Sequence, residues 1–274
     1  MQKLIDFASN IHSQNGEDGI IEKIFSIIGT TSKVSVEFGA WDGFHLSNSA
    51  NLWSKKDWRG VLIELNAERF KELVENTKKF RCHCVNARVE PVGENTLESI
   101  LKRESISGPV DLLSIDIDGD DYYILQSLHE LKPRVILCEY NPTIPPMMDL
   151  VAEPGNYFGC SAFSLVKLAE EKGYKLVAVT QCNCIFVRQE EFFRFADFDT
   201  ALASIALTGG LTWLISGYSG DYVLSREPVF GFTVRSRQKF HRGQAYYAPE
   251  PKKPRLEKTI RKYVKGLLGK KEKA

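Results

Sequence analysis

Val34-Ser35-Val36-Glu37-Phe38-Gly39-Ala40-Trp41-Asp42-Gly43 is the stretch on which the fold turns. Its first half is a short β-branched run and its second half is a turn bracketed by glycines. That reads as a buried strand ending sharply before a helix. The spacing is E-x-G-x-x-x-G. Glycines at 39 and 43 let the backbone turn tightly and approach a ligand at the end of a strand. The second position after Gly39 is Trp41, where a pyrophosphate would need a glycine, so a dinucleotide fits badly.

The same alternation of short apolar runs and helical periods continues on both sides. Upstream, Ile20, Ile21, Ile24, Phe25, Ile27 and Ile28 recur at helical spacing within 13–28, and Gly29 stops that helix. Downstream, helices are expected over 47–55, 67–79, 96–102, 122–131 and 162–172. Strands are expected over 60–64, 80–89, 110–115 and 134–139, with Pro133 breaking the chain before the last of these. Segments 174–180 and 184–188 form a hairpin, and 140–160, rich in Pro, Gly and Met, is a long loop. Strands alternating with helices make an α/β protein with a mainly parallel sheet of seven strands, the last antiparallel, and helices on both faces.

The 274 residues are 43% hydrophobic and carry net charge +1, but the charge is uneven. Residues 251–274 hold ten Lys/Arg against two acidic residues, a net +8 that leaves −7 on the other 250. An acidic body argues against a nucleic-acid partner. Residues 1–188 are read as the sheet domain, 189–248 as an appendage packed on it, and 249–274 as a tail. Met1–Gly16 shows no basic segment followed by an apolar one, so a cytoplasmic protein is expected. Residues 200–220 carry no charge, yet Gly209, Gly210, Thr212, Ser216 and Gly217 interrupt them, which favours a buried helix, turn and strand over a membrane span. Six cysteines, at 82, 84, 138, 160, 182 and 184, read as small buried residues.

The expected strand ends collect chemistry. Glu64 closes the second strand, 25 residues after Gly39, where a carboxylate can accept hydrogen bonds from both ribose hydroxyls. The third strand leads to Asn86, whose amide can both donate to and accept from an adenine edge. Glycine turn, ribose carboxylate and adenine reader describe an adenosine site without a pyrophosphate, which fits S-adenosylmethionine. The fourth strand runs into Asp116, Asp118, Asp120 and Asp121, acids that repel one another unless hydrogen bonds, water or a cation accommodates them. The fifth ends in Glu139-Tyr140-Asn141.

These residues resemble the class I S-adenosylmethionine-dependent methyltransferases and, within them, the FkbM-type group. That group shows E-x-G-x-x-x-G, a strand-two acid and a segment of the form L-L-K-I-D-V-E-G-A-E. Leu112 to Asp121 stands in its place here, with Ser114 for the frequent Lys and Asp118 for Glu. The likeness covers about residues 13–188, and Ser13 to Asp18 also looks like the opening of related proteins. It implies a Rossmann-like fold and methyl transfer to a hydroxyl of a carbohydrate or similar polar metabolite, with surface polysaccharide biosynthesis as a setting. Carried onto this chain, Glu37, Gly39 and Gly43 cradle the methionine end, Glu64 holds the ribose, Asn86 meets the adenine, and Asp116 joins the cofactor site. A hydroxyl acceptor calls for a general base, expected at Asp118, then Glu139, with His45 third.

Several expectations remain beside this one. Asp116, Glu139 and Asn141 lie where catechol-O-methyltransferase-like enzymes hold magnesium, although Tyr140 separates the last two. Cys82-His83-Cys84 with Cys182-Asn183-Cys184 has ligand types suited to zinc at an unusual spacing. Leu256, Ile260, Tyr263, Val264, Leu267 and Leu268 share one face of a basic helix over 255–273, suited to the anionic inner face of a membrane. A catalytically silent nucleoside-binding module and a nucleotide-dependent Rossmann enzyme are the alternative functions.

Overall fold

A computed structural model of the chain describes residues 1–220 and 222–226. It divides into two units, Met1–Gly210 and Leu211–Ala274. The predicted basic helix and the part of the expected appendage beyond 226 lie outside the described residues.

The first unit is an α/β/α sandwich. Its elements are α1 (Glu17–Ile28), β1 (Val34–Phe38), α2 (Ala50–Lys55), β2 (Arg59–Glu64), α3 (Ala67–Thr77), β3 (Cys82–Asn86), α4 (Leu97–Arg103), β4 (Leu112–Ile115), α5 (Asp121–Ser127), β5 (Val135–Glu139), α6 (Ala162–Glu171), β6 (Tyr174–Val179) and β7 (Asn183–Arg188). The sheet order is β3-β2-β1-β4-β5-β7-β6. All neighbours among β1 to β5 are parallel, and β7 runs antiparallel to both β5 and β6. This is the Rossmann-like, mainly parallel seven-stranded sheet expected from the sequence.

Period-2 alternation sorts each strand between two cores. Val36, Phe38, Ile63, Leu113, Ile115 and Ile136 face α4, α5 and α6, which contribute Leu97, Ile124 and Leu165. Leu62, Leu112, Val135 and Leu137 face α1, α2 and α3 through Ile20, Ile24, Trp53 and Leu73. Several helices are bounded by side-chain caps: Asn66 accepts from the amides of Glu68 and Arg69, Thr96 from Ser99, and Ser161 from Ser164.

The edge of the sheet away from the strands' carboxyl ends is fastened by one guanidinium. Arg134 donates to the carbonyls of Ile28 and Gly29 at 2.9 Å each, to Asp111 at 3.3 Å and to Glu191 at 2.6 Å. Asp111 also accepts from the amides of Thr31, Ser32 and Lys33.

The chain continues past β7 through a 3-10 turn, Gln189–Phe195, and a single helical turn, α7 (Leu202–Ile205). Phe195 and Ile205 are buried in the two cores. The first unit therefore includes these residues and ends at Gly210. In the second unit the described residues form a hairpin of β8 (Leu214–Ser216) and β9 (Tyr222–Leu224). Among the described residues no helix is long and apolar enough to cross a membrane.

Candidate functional site

The five parallel strands end along one edge, and the strand order reverses between β1 and β4. Crevices at such switch points are the ligand sites of open α/β sheets. Here a cavity of about 400 Å³ opens, a size typical of small-molecule sites. Phe38, Ile63, Val89 and Ile117 give it apolar walls, and Gly39 lies at the turn. Its charged lining is Glu64, Glu90, Asp118, Asp120 and one cation, Arg88, whose Nε lies 3.7 Å from Glu90.

Glu64 is held in place by two amides: Trp41 N donates to Oε2 at 2.8 Å and Asn66 N to Oε1 at 2.7 Å. Each oxygen keeps a further lone pair for a ligand. Gly39 has φ +74°, and a Cβ there would lie 2.2 Å from the Asp116 carbonyl oxygen. The turn after β1 thus rests directly on the end of β4.

Three residues expected at the cofactor have other partners. Alternation turns Glu37 away from Phe38, and its carboxylate accepts from Ser47 Oγ and Ser49 Oγ at 2.6 Å each and from Asn48 N at 2.8 Å. Burial raises its pKa, while those donors oppose the rise. Glu37 therefore organises the loop into α2. Gly43 (φ +91°) backs onto α3, where a Cβ would meet Leu73 at 2.9 Å and Thr77 at 3.0 Å. Asn86 donates to the carbonyls of Glu64 at 2.7 Å and Leu65 at 3.1 Å, tying β3 to β2 rather than lining the cavity. The neighbouring Ala87, Arg88 and Val89 line it instead.

The acidic turn after β4 is organised by Asp121, which accepts from Ile117 N and Gly119 N at 2.9 Å each. Burial pushes Asp121 up to about 6. Asp118 (φ +58°) is exposed and lines the cavity. Asp120 accepts from Gly155 N at 2.7 Å, and Asn141 donates to the Phe158 carbonyl at 2.9 Å. The long loop after β5 is thereby laid over this turn, and Asn156 and Tyr157 complete the cavity's lining.

Asp116 follows β4 and Glu139 ends the adjacent β5, and each disfavours ionisation of the other. Burial, reinforced by Asp121, Asp118 and Glu37, raises Asp116; burial, reinforced by Asp116, Asp121 and Asp118, raises Glu139 further. His45 is exposed, with its amide on Asp42 and its ring 5.8 Å from Trp41, outside the cavity lining.

The metal expectations are not met by the geometry. Asn141 Oδ1 accepts from Thr143 N and Oγ1, and its Nδ2 is on Phe158. Among the described residues no three His, Cys, Asp or Glu side chains converge as a metal site. Four strands separate the Cys82/Cys84 pair on β3 from Cys184 on β7. At about 4.8 Å per strand that is roughly 24 Å, far beyond a shared zinc ion.

An N-terminal strap, unread from sequence in its detail, crosses the α1 side of the same edge. Asp18 Oδ2 accepts from the amides of Ile11, His12 and Ser13 at 2.7–2.8 Å. Glu17 accepts from Asn15 N, Thr180 Oγ1 and Asn183 Nδ2 at 2.7, 2.7 and 2.9 Å. Asn15 Nδ2 reaches Cys182 Sγ at 3.1 Å, and the His12 ring lies 5.1 Å from Phe44.

No family model matches the chain, and no curated protein sequence matches it. Solved structures of similar fold do. An S-adenosylmethionine-dependent methyltransferase from Aquifex aeolicus is 12% identical, with 61% of this chain and 87% of that one covered and a TM-score of 0.36. A methyltransferase from Podospora anserina bound to S-adenosylhomocysteine is 18% identical, with coverage of 62% and 78% and a TM-score of 0.40. The CMeT domain of the citrinin polyketide synthase is 14% identical, with 57% of this chain covered and a TM-score of 0.39. This chain spans only 46% of that last structure.

Proposed function

We propose that the chain is a class I S-adenosylmethionine-dependent methyltransferase acting on a hydroxyl of a carbohydrate or similar polar metabolite. The observation that carries the reading is the lining of the cavity: apolar walls for a base, and four carboxylates against one arginine that already faces one of them. Such a field repels a pyrophosphate and attracts a nucleoside with a positively charged end. The sheet order, with its antiparallel β7 at the crevice-distal side of β5, agrees with the family resemblance.

When bound, the cofactor supplies an electrophilic methyl group on a sulfonium. Phe38, Ile63, Val89 and Ile117 would hold its base, and Glu64, fixed by two amides, would accept from the ribose hydroxyls. Asp118 and Asp120 offer negative charge to its cationic end. The likeness to FkbM-type proteins favours a glycan acceptor, which the strap and the loop over Asp120 would flank. Aligning the acceptor with the methyl group supplies much of the acceleration in such a displacement.

Calorimetric titration of the full chain with S-adenosylhomocysteine and, separately, NAD tests the reading. S-adenosylhomocysteine is expected to bind, and Glu64→Ala to abolish that binding while leaving the unfolding midpoint within a few degrees. Binding of NAD alone, or of neither, overturns it.

A further inference from the structure

The cavity lacks the adenine reader expected from the sequence, because Asn86 spends its amide hydrogens on the carbonyls of Glu64 and Leu65. Another segment reaches the cavity instead, from the loop after β5. Gly155, Asn156 and Tyr157 belong to the lining. Their backbone is fastened at several points. Gly155 N donates to Asp120 at 2.7 Å, Ala152 N to the Gly159 carbonyl at 2.9 Å, and Asn141 Nδ2 to the Phe158 carbonyl at 2.9 Å. Gly119 (φ +141°) provides the seat. A Cβ there would lie 2.8 Å from the Asn156 carbonyl oxygen and 3.2 Å from the Tyr157 Cα. The loop can rest on the acidic turn only because position 119 carries no side chain.

On this fixed backbone the Tyr157 side chain is idle. Tyr157 is 87% exposed, and among the described residues neither its ring nor its hydroxyl has a partner. A lone exposed aromatic residue is ordinary on a protein surface. This one lines a cavity, and part of the remaining lining is bare in the same way: Leu65 is 59% exposed and Val92 76%. Those two follow β2 and β3, on one side of the switch point, whereas Tyr157 is seated on the turn after β4, on the other. The mouth of the cavity therefore has an apolar rim on two sides, next to the Glu64 carboxylate. A flat ring entering between them would cover all three side chains.

We propose that Tyr157 stacks on the adenine base of the bound nucleoside and closes the cavity over it, with Leu65 and Val92 as the facing contact. This rests on the methyltransferase reading and names a residue that holds the cofactor's base. Stacking needs only the π-face of the base, so it works without the hydrogen-bonding edge that Asn86 fails to offer. A tyrosine turns about two side-chain bonds, so fixing its ring over a ligand gives a large contact for little lost freedom. The ring does the binding, and the hydroxyl takes no part.

The experiment titrates S-adenosylhomocysteine calorimetrically into the full chain and into its Tyr157→Phe and Tyr157→Ala variants. Tyr157→Phe is expected to bind nearly as tightly as the wild type. Tyr157→Ala should bind about 5- to 150-fold more weakly, the loss of one base–aromatic stack. Because the residue is exposed, neither substitution should move the unfolding midpoint. In NMR spectra of the wild-type complex with labelled tyrosine rings, one ring should show nuclear Overhauser contacts to the C–H protons of the base, absent in Tyr157→Phe. An alanine variant as tight as the wild type, a phenylalanine variant as weak as alanine, or a ring without contact to the base protons overturns the proposal and leaves the methyltransferase reading standing. A wild type that does not bind S-adenosylhomocysteine removes that reading, and the stacking role with it.

Discussion

Gly39 and Asp116 meet backbone to backbone: the missing Cβ of the one would lie 2.2 Å from the carbonyl oxygen of the other. The contact joins the ends of β1 and β4, the two strands between which the crevice opens. Gly39→Ala is expected to lower stability in urea by more than the ~1–3 kcal/mol that left-handed backbone strain alone costs, because the β4 end must also move. S-adenosylhomocysteine affinity should fall with it. An alanine variant as stable as the wild type would contradict the packing described.

Asn86 and Glu64 should separate cleanly when substituted. The Asn86 amide joins β3 to β2 and stays out of the cavity, so Asn86→Ala is expected to cost about 0.5–1.5 kcal/mol for each lost hydrogen bond. Its effect on ligand affinity should be small beside that of Glu64→Ala. Thermal unfolding and calorimetry on the same preparations make the comparison, and equal losses of affinity would restore Asn86 as an adenine reader.

Asp18 holds three consecutive amides of the strap with one oxygen. Asp18→Asn replaces that acceptor with a neutral amide that can present an NH2 group to the same donors. Hydrogen exchange should then accelerate at Ile11, His12 and Ser13 well before it does in β1 or β4. Unchanged protection at those three amides would show that the strap is fixed by something else.

The buried acids set the direction of the pH dependence. Asp121 is pushed up to about 6, and Asp116, Glu139 and Glu37 are also raised, from unfolded values near 4. Each of these four acids therefore binds more protons in the folded than in the unfolded chain above about pH 4, and the stability it contributes falls as pH rises. For Asp121 the loss runs from about pH 4 to about pH 6 and is complete beyond it. Urea denaturation across that range is expected to show the decline, and Asp121→Asn to flatten its first part. A rise in stability over the same range would refute it.

The sheet was readable because its information is local. VSVEF, RGVLIE and LLSI are short apolar runs set between glycines, prolines and helical periods, and burial on both faces leaves such strands little alternative. The boundaries drifted where propensity yields to hydrogen bonding: the expected first helix begins only at Glu17, because Asp18 binds the amides before it into a strap. Site residues divide the same way. Glu64 and Asp118 could be placed at the cavity from their strand-end positions. Glu37, Gly43 and Asn86 stand in equally suggestive positions, but their partners, Ser47 and Ser49, Leu73 and Thr77, and the Glu64 carbonyl, become neighbours only through the tertiary fold. Phe38 and Ile63 were among the missed members, and alternation beside Glu37 and Glu64 was the signal that could have found them.

Arg134 links segments that lie 105, 57 and 23 residues away along the chain, at Gly29, Glu191 and Asp111. Contacts of such range close only after much of the chain has already been gathered. This guanidinium is therefore expected to engage after the rate-limiting step of folding, when β4, β5 and the turn beyond β7 are already in register. An interaction absent from the transition state acts on unfolding alone. Arg134 would then be the latch of the sandwich: removing it leaves the speed of assembly untouched and shortens the lifetime of the assembled molecule.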